Sequence, residues 1–196
     1  MAKRTFDILF SFVMMVILSP LFMILMILIS IDSRGGVFFA QTRVGLNGIN
    51  FKLWKFRTMH VNAESSGQLT VGSRDKRITK VGYYLRKFKV DELPQLWNVL
   101  EGKMSVVGPR PEVPKYVAMY DETQKRVLCI RPGITDYASI LYFSESELLA
   151  KSSDPEATYI NEIMPAKLKL NLDYISNMSL LTDLKIVLAT ARRILR

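Results

Sequence analysis

The chain has 196 residues, which suggests one folded domain with an accessory element rather than two full domains. A single cysteine, Cys129, excludes an internal disulfide and fits a reducing cytosol, and a single histidine, His60, argues against zinc sites and histidine-based triads. The formal net charge is +9, and residues 1–33 contribute none of it because their two basic and two acidic side chains cancel. The excess positive charge therefore lies in residues 34–196, which form the body of the protein. Three kinds of partner fit such a basic body: anionic lipid headgroups, phosphorylated small molecules and nucleic acid.

An apolar segment runs from Ile8 to Ile31 and carries no charge over its 24 positions. A membrane-spanning helix needs about 20 such residues. A secretory signal peptide would have a shorter apolar region followed by small residues at a cleavage site, whereas Asp32 and its polar neighbours follow here. We therefore expect the segment to be retained as a membrane anchor.

Ser19 and Pro20 lie at the centre of the apolar segment. Pro20 lacks an N–H group and its ring crowds the carbonyl of Val16, so a kink is expected there. Each half is roughly 18 Å long as a helix, too short to cross a hydrocarbon core of about 30 Å. The residues alone leave two forms open, a kinked spanning helix and a re-entrant segment whose basic flanks both stay on the cytoplasmic side.

The first elements of the body are a β-hairpin and two helices. Val37–Val44 is predicted to be a strand, and Asn47-Gly48 is a strong signal for a hairpin turn. A polar loop is expected from His60 to Gly72, and apolar residues at helical spacing predict helices over 78–88 and 93–100.

The second half of the body is predicted to be mostly helical. Met104–Val107 is a short strand candidate, Glu112–Val127 is expected to be helical, and Asp154-Pro155 is typical of a helix start. The last helix, about Ser179 to Arg196, has a leucine-rich side opposite basic residues. We therefore predict an α+β fold, mostly helical with a small β-hairpin or sheet. Its basic amphipathic helices, the last one and 78–88, either lie on headgroups or pack their apolar faces into the core.

Asp91 and Glu92 are the first candidates for chemistry. Taken alone, two adjacent carboxylates at a helix start are most simply an N-cap and a favourable partner for the helix dipole. The functional interpretation is a nucleophile next to a ligand for Mg²⁺, because Mg²⁺ takes carboxylate oxygens together with substrate phosphates and aspartate can form a covalent phosphoryl-enzyme.

Six cations near turns or helix ends are candidate phosphate ligands. Arg110 lies between two prolines, so a stiff backbone would hold its guanidinium in place for a phosphate. Any one of these residues could equally be a solvated surface cation, but a carboxylate pair among many cations points to phosphoryl transfer. The six candidates are Lys55, Arg57, Arg77, Arg86, Arg110 and Arg131.

Ordered sequence blocks along nearly the whole chain resemble the small monotopic phosphoglycosyl transferases, or bacterial sugar transferases. The most specific block is Asp-Glu-Leu-Pro-Gln-Leu-Trp-Asn-Val-Leu over residues 91–100. The other blocks are Lys3-Arg4 before the apolar run with Ser19-Pro20, and the stretches 39–45, 55–59, 77–82, 85–86, 104–111 and 131–135.

The resemblance implies an enzyme that transfers a sugar 1-phosphate from a UDP-sugar to polyprenol phosphate and releases UMP. Asp91 would attack the sugar-bearing phosphate, Glu92 would help to hold Mg²⁺, and Arg110 would contact phosphate. The resemblance also implies a re-entrant membrane helix over 1–33, broken at Ser19-Pro20, and a catalytic domain over 34–196. That domain would lie on the cytoplasmic face of a bacterial inner membrane, and a homodimer is left open.

The sequence departs from the common family pattern at two places. Residues 136–141 read Asp-Tyr-Ala-Ser-Ile-Leu where many members have a different run, and Asn171 stands where an aspartate is expected. These differences leave the sugar undetermined. Two other classes of function are alternatives: a lipid-binding adaptor that would need neither Asp91 nor Mg²⁺, and a nucleic-acid binder, for which the sequence has no recognisable motif.

Overall fold

The structure, a computed structural model, describes residues 2–63, 69–72 and 75–195. It begins with one long helix, α1 (Ala2–Asp32), followed by a hairpin of β1 (Phe38–Val44) and β2 (Asn50–Phe56). Next come α2 (Lys80–Lys87), a 3-10 turn (Val90–Glu92), α3 (Gln95–Leu100), β3 (Ser105–Val107), α4 (Pro114–Val117) and a 3-10 segment (Gln124–Cys129). The chain ends with β4 (Gly133–Thr135), α5 (Tyr137–Leu141), α6 (Glu145–Ala150), α7 (Pro155–Thr158), a π-helical turn (Tyr159–Ile163), α8 (Met164–Ser176) and α9 (Leu180–Ile194).

The predicted α+β class, mostly helical with a small hairpin, is confirmed. β1 and β2 pair antiparallel from Phe38 opposite Phe56 to Val44 opposite Asn50. Asn47 and Gly48 both have positive φ in the connection, as the hairpin signal predicts. The predicted loop over 60–72 includes Ser65, Ser66 and Gly67, which lie outside the described residues, as does Arg196 at the end of the last helix.

The prediction of one helix over Glu112–Val127 is wrong. α4 covers only Pro114–Val117, and a separate 3-10 segment begins at Gln124. Between them the side chain of Asp121 accepts a hydrogen bond from the backbone N–H of Gln124 at 2.8 Å, and the Gln124 side chain accepts from the N–H of Asp121 at 3.1 Å. These local side-chain bonds satisfy the backbone in a turn and so compete with a continuous helix.

Both ends of α1 pack against the same body. Near its start, Asp7 is buried and its carboxylate accepts hydrogen bonds from the Ser105 hydroxyl and the Val106 N–H, each at about 3.0 Å. Near its end, Leu25 and Ile29 form a buried cluster with Phe56 and Leu85. The apolar side chains in between are largely exposed, and by length and composition this helix could cross a membrane.

A parallel strand pair, β3 with β4, lies between the hairpin and the last helices. Ser105 is opposite Gly133 and Val107 is opposite Thr135. The two segments of backbone approach closely just beyond β3, where a Cβ on Gly133 would overlap the backbone of Gly108. This contact requires glycine at both positions and fixes where the next residues, Pro109-Arg110-Pro111, leave the sheet.

Candidate active site

Asp91 and Glu92 lie in the 3-10 turn between α2 and α3. Lys89, just past the end of α2, adopts a left-handed backbone conformation with φ of 54°. A left-handed residue at this position ends a helix and turns the chain sharply. The turn directs Asp91 and Glu92 into a cavity of about 670 Å³ in the described part of the chain.

Asp91 is a buried carboxylate with unused bonding capacity. It is 6% exposed, and its Oδ1 has no hydrogen-bond partner among the described residues. Burial raises the pKa of Asp91 and the negative charge of Glu92 raises it further, while Lys55, Arg86 and Lys89 oppose the rise. Such an oxygen, facing a cavity, is available to a ligand or a reacting atom.

Glu92 is held as an anion by two cations. Arg110 Nη1 donates to Glu92 Oε2 at 2.9 Å, its Nη2 donates to Oε1, and Lys55 Nζ donates to Oε1 at 3.2 Å. Burial by itself would raise the pKa of Glu92, but Arg110 and Lys55 outweigh it and hold that pKa well below its ordinary range. The forked contact also raises the pKa of the Arg110 guanidinium, which stays charged.

Two further cationic groups, Arg86 and Lys89, lie beside the carboxylates, and burial lowers the pKa of each of them as it does that of Lys55. Arg86 donates from Nη2 to the Thr70 hydroxyl at 3.1 Å, whereas its Nη1 is buried with no partner among the described residues. All three line the cavity. A water-poor pocket with several cations and an unused guanidinium donor suits an anionic ligand such as a phosphate.

The backbone around Arg110 is held on both sides. Pro109 and Pro111 flank it, and the carbonyl of Pro109 accepts from the N–H of Gly133 at 2.9 Å. The Arg110 N–H donates to Asp136 Oδ2 at 3.2 Å, and Asp136 is completely buried. The side chain is therefore positioned in advance, as the two prolines predicted.

A second charged group lines the cavity and was not predicted. Glu112 accepts a hydrogen bond from Arg43 Nη1 at 2.9 Å and another from the hydroxyl of Tyr159. Lys167 donates to Glu145 at 2.7 Å. Burial by itself would raise the pKa of Glu112, but Arg43 and then Lys167 lower it below its ordinary range. These five residues are spread over β1, the loop before α4, α6, the π-helical turn and α8, so no local motif in the sequence joins them.

An aromatic ring connects the last helix to the site. Lys89 Nζ lies 5.1 Å and the guanidinium carbon of Arg193 5.2 Å from the centre of the Phe143 ring. Such cation–π contacts contribute about 0.5–1 kcal/mol each at exposed positions. All three residues line the cavity, and sequence reasoning singled out none of them as a site residue.

Three of the six predicted phosphate-binding cations lie elsewhere. Arg57 donates to the backbone carbonyls of Ser33 and Arg34 at the end of α1, at 2.7 and 2.6 Å. Arg77 makes a forked contact with the carboxylate of Asp75, and Arg131 donates to the carbonyl of Gly102. The structure brings Lys55, Arg86 and Arg110 together with Asp91 and Glu92 in the cavity. Arg57, Arg77 and Arg131 do not line it.

Glu92 and Asp91 are the predicted ligands of Mg²⁺. Among the residues described, no group of three or more His, Cys, Asp or Glu side chains is placed to hold a metal ion. Asp91 Oδ1 is free to bind a cation, and Glu92 shares both its oxygens with Arg110 and Lys55. Such a pair fits a Mg²⁺ that takes its other ligands from substrate phosphates and water.

An exposed apolar helix long enough to cross a membrane, joined to a body whose carboxylate pair faces a cation-lined cavity, defines a candidate membrane protein with a site for an anionic ligand. The family model described as bacterial sugar transferase matches residues 1–196. The chain belongs to that family, as the ordered sequence blocks predicted.

Curated relatives are similar over nearly the whole chain. A UDP-N-acetylgalactosamine-undecaprenyl-phosphate N-acetylgalactosaminephosphotransferase of Aeromonas hydrophila is 37% identical over 98% of this chain and 43% of its own length. An undecaprenyl-phosphate glucose phosphotransferase of Komagataeibacter xylinus is 35% identical over 97% of this chain and 35% of its own length. The exopolysaccharide production protein ExoY of Rhizobium meliloti is 36% identical over 97% of this chain and 84% of its own length. The chain thus spans less than half of the first two relatives and most of the third.

Proposed function

We propose that this chain transfers a sugar 1-phosphate from a UDP-sugar to polyprenol phosphate, giving a polyprenyl-diphosphate sugar and UMP. The observation that carries the proposal is Asp91, a buried carboxylate in a cation-lined cavity whose Oδ1 has no hydrogen-bond partner among the residues described. The relatives' names give the substrate classes, since they name UDP-sugars and undecaprenyl phosphate.

The proposed reaction has two steps at one phosphorus atom. An oxygen of the Asp91 carboxylate bonds to the sugar-bearing phosphorus while the bond to the bridging oxygen breaks, and that oxygen leaves as part of UMP. A phosphate oxygen of the polyprenol phosphate then attacks the same phosphorus. The bond to Asp91 breaks, and the carboxylate is regenerated.

The cations make an anionic attack on a dianionic diphosphate feasible. Within the described part of the chain Arg86 Nη1 has no acceptor, and Lys55 and Lys89 lie beside Asp91, so the charges of these three groups offset that of the approaching diphosphate. Glu92 keeps Arg110 and Lys55 in place through its hydrogen bonds. Positioning and charge stabilisation of this kind supply most of the catalysis in phosphoryl transfer.

Asp91 and Glu92 are proposed to hold Mg²⁺ together with the donor diphosphate. The bound ion supplies positive charge that stabilises the diphosphate as the phosphoryl group is transferred. Chelation by EDTA is expected to stop UMP release, and added Mg²⁺ is expected to restore it. Undiminished release in EDTA contradicts the metal proposal and favours cations alone.

The proposed re-entrant form of α1 is supported by its contacts with the body at both ends. Lys3 forms an ion pair with Asp183 at 2.6 Å. At the other end, Asp32 accepts from the N–H of Val81 at 2.9 Å, and Arg57 binds the carbonyl of Ser33. One folded body outside the hydrocarbon core can contact both ends only if both are on the same side of the membrane.

Ser19 and Pro20 give this helix a local adaptation at its centre. Pro20 cannot donate to the carbonyl of Val16, and the Ser19 hydroxyl donates to that carbonyl at 2.8 Å instead. The helix continues through Pro20, so the structure has no interruption there. In a bilayer, where an unpaired carbonyl is costly, the serine allows a bend at the proline.

The last helix is proposed to lie at the headgroups. Leu181, Leu184 and Leu188 of α9 are exposed, the last at 59%, while Ile186 on the opposite side is completely buried. Arg192 and Arg193 follow in the last turn. An exposed leucine row with basic neighbours suits the cytoplasmic surface of a bacterial inner membrane, where the lipid phosphate acceptor and a cytosolic UDP-sugar can meet at Asp91.

The experiment that tests the proposed function measures UMP release by purified protein given a panel of UDP-sugars, Mg²⁺ and polyprenol phosphate. We expect at least one sugar to give UMP and a polyprenyl-diphosphate product, and Asp91→Asn to give neither. No release with any N-acetylated or unmodified hexose donor would overturn the proposal.

A further inference from the structure

Among the residues that the structure describes, four buried polar atoms that line the cavity have no hydrogen-bond partner, and they fall into two groups. Asp91 Oδ1 and Arg86 Nη1 belong to the charged part of the site described above. Ser139 Oγ on α5 and Asn171 Oδ1 on α8 are uncharged, and these two helices carry neither Asp91 nor Arg86. Buried polar groups rarely remain unpaired, so this second pair needs an explanation.

We propose that Ser139 and Asn171 form the subsite that hydrogen-bonds the sugar ring of the nucleotide donor. The inference rests on the proposed function and goes beyond it by assigning the residues that recognise the sugar. A hydroxyl and an amide can each donate and accept, which matches sugar hydroxyls and an acetamido N–H. Asn171 is 5% exposed, so its side chain is largely out of water before a sugar binds.

The two residues lie on elements that pack against each other. α5 and α8 are in direct contact, and Ala138 and Leu168, the neighbours of the two residues in these elements, are buried. Ile140 of α5 and Leu168 of α8 are apolar and also line the cavity. A sugar ring has both hydroxyl edges and apolar C–H faces, and a wall with two polar atoms among apolar side chains suits both.

A buried carboxylate ties this wall to the phosphate-binding side. Asp136 caps α5 by accepting from the N–H of Ser139 at 2.6 Å, and its other oxygen accepts from the N–H of Arg110. Arg110 in turn binds Glu92. The position of Ser139 is therefore set relative to the cations, as a site that holds the sugar and the diphosphate of one donor requires.

A lysine one helical turn before Asn171 does not take over this role. Lys167 forms an ion pair with Glu145 at 2.7 Å, so its charge has a partner within the protein. Asn171 lies one helical turn further on, and its Oδ1 makes no hydrogen bond to any residue that the structure describes. Replacing it with an apolar residue of similar size should leave the folded state intact, whereas replacing a group already paired would not.

The test is equilibrium binding of UDP and of UDP-sugars to the full chain, in an Asp91→Asn background that prevents turnover. The donors are UDP-glucose, UDP-galactose and their 2-acetamido forms. We expect Asn171→Leu to weaken binding of the preferred UDP-sugar by about 10-fold or more and Ser139→Ala by several-fold, since each loses a buried hydrogen bond. Binding of UDP, which has no sugar on its diphosphate, should change by less than about 2-fold.

A matched control is Asn177→Leu, at the exposed end of the same helix, where the side chain bonds only to the carbonyl of Asp173. It should leave both affinities unchanged. The Tm of Asn171→Leu should be no lower than that of its parent, which separates a binding role from a structural one.

Equal losses for UDP and UDP-sugar in Asn171→Leu and Ser139→Ala, or no loss in either, overturn the subsite. A parent protein that binds UDP and every UDP-sugar equally well overturns it too. Failure of the proposed function looks different: the selective losses are seen, but no donor yields UMP with the wild-type protein.

Discussion

Asp91 and Glu92 are neighbours in one 3-10 turn, yet their surroundings move their pKa values in opposite directions. The pKa of Asp91 is raised, chiefly by burial, and its Oδ1 has no partner among the described residues, whereas the pKa of Glu92 is lowered because Arg110 and Lys55 bind it. Two carboxylates with opposed shifts are suited to two roles. The proposal gives Asp91 the reacting role and Glu92 the role of holding the cations.

The first prediction concerns the pH dependence of UMP release in a single turnover. Asp91 attacks as a carboxylate, so the rate should fall as the pH drops through the raised pKa of Asp91. The midpoint of this acidic limb should lie above the usual aspartate value of about 3.9. Rapid-quench measurements over a pH series check this, and a rate that stays constant down to that usual value argues against Asp91 as the group that titrates.

Replacing Asp91 should stabilise the protein while removing activity. Because the folded state raises the pKa of Asp91, ionisation of this group costs stability as the pH rises past the value in the unfolded chain. Asp91→Asn should therefore have a higher Tm at pH 7, with a gain that disappears in acid. Thermal unfolding at several pH values measures it.

The matched comparison is Asp75→Asn. Arg77 lowers the pKa of Asp75 through a forked hydrogen bond, so this change should lower Tm at pH 7. If both variants shift Tm in the same direction, the inferred environment of Asp91 is wrong.

Glu92→Gln should destabilise the fold by about 1–3 kcal/mol at pH 7, because it leaves Arg110 and Lys55 without their charged partner. The pKa of Glu92 is depressed, so its contribution is present above the ordinary glutamate range and is lost as the pH falls through the lowered value. The difference from wild type should therefore shrink in acid, as urea unfolding at two pH values can show.

The control for that variant is Glu122→Gln, which removes an exposed ion pair with Lys125. It should change stability by less than about 0.5 kcal/mol at either pH. A loss as large as that of Glu92→Gln would mean that the buried position of the Glu92 network contributes nothing special.

The topology prediction uses single cysteines in a Cys129→Ser background. If α1 is re-entrant, Ala2→Cys and Gly36→Cys should both react with a membrane-impermeant maleimide in inverted vesicles and neither should react in intact spheroplasts. The reason is that both ends of α1 contact the one body. Labelling of Ala2→Cys from the periplasmic side would establish a spanning helix instead.

Local signals in the sequence predicted much of the fold. Asn47-Gly48 indicated the hairpin and Asp154-Pro155 the start of α7, where Asp154 does accept from the N–H of Ala157. A helix over 112–127 was not excluded by its composition. The turn that interrupts it depends on a hydrogen bond from the Gln124 N–H to the Asp121 side chain, and such local bonds compete with the hydrogen bonds of a helix.

The candidate site was only partly predictable. The Asp91-Glu92 pair and Arg110 carry strong local signals, and the structure brings them together. Arg57 and Arg131 are likewise cations near turns or helix ends in the sequence. In the structure they bond to backbone carbonyls that only the fold places within reach. Conversely, Arg193 reaches the cavity from the last helix through Phe143, a contact across 50 residues that no motif encodes.

The most direct test of the account is the mass of the intact protein after incubation with its UDP-sugar donor and Mg²⁺ but no polyprenol phosphate. The account predicts an added mass equal to one sugar phosphate, mapped by peptide sequencing to Asp91, and removed when polyprenol phosphate is supplied. Asp91→Asn should gain no such mass. Transfer to the lipid by wild-type protein without any adduct, or by Asp91→Asn at the wild-type rate, would contradict the covalent mechanism.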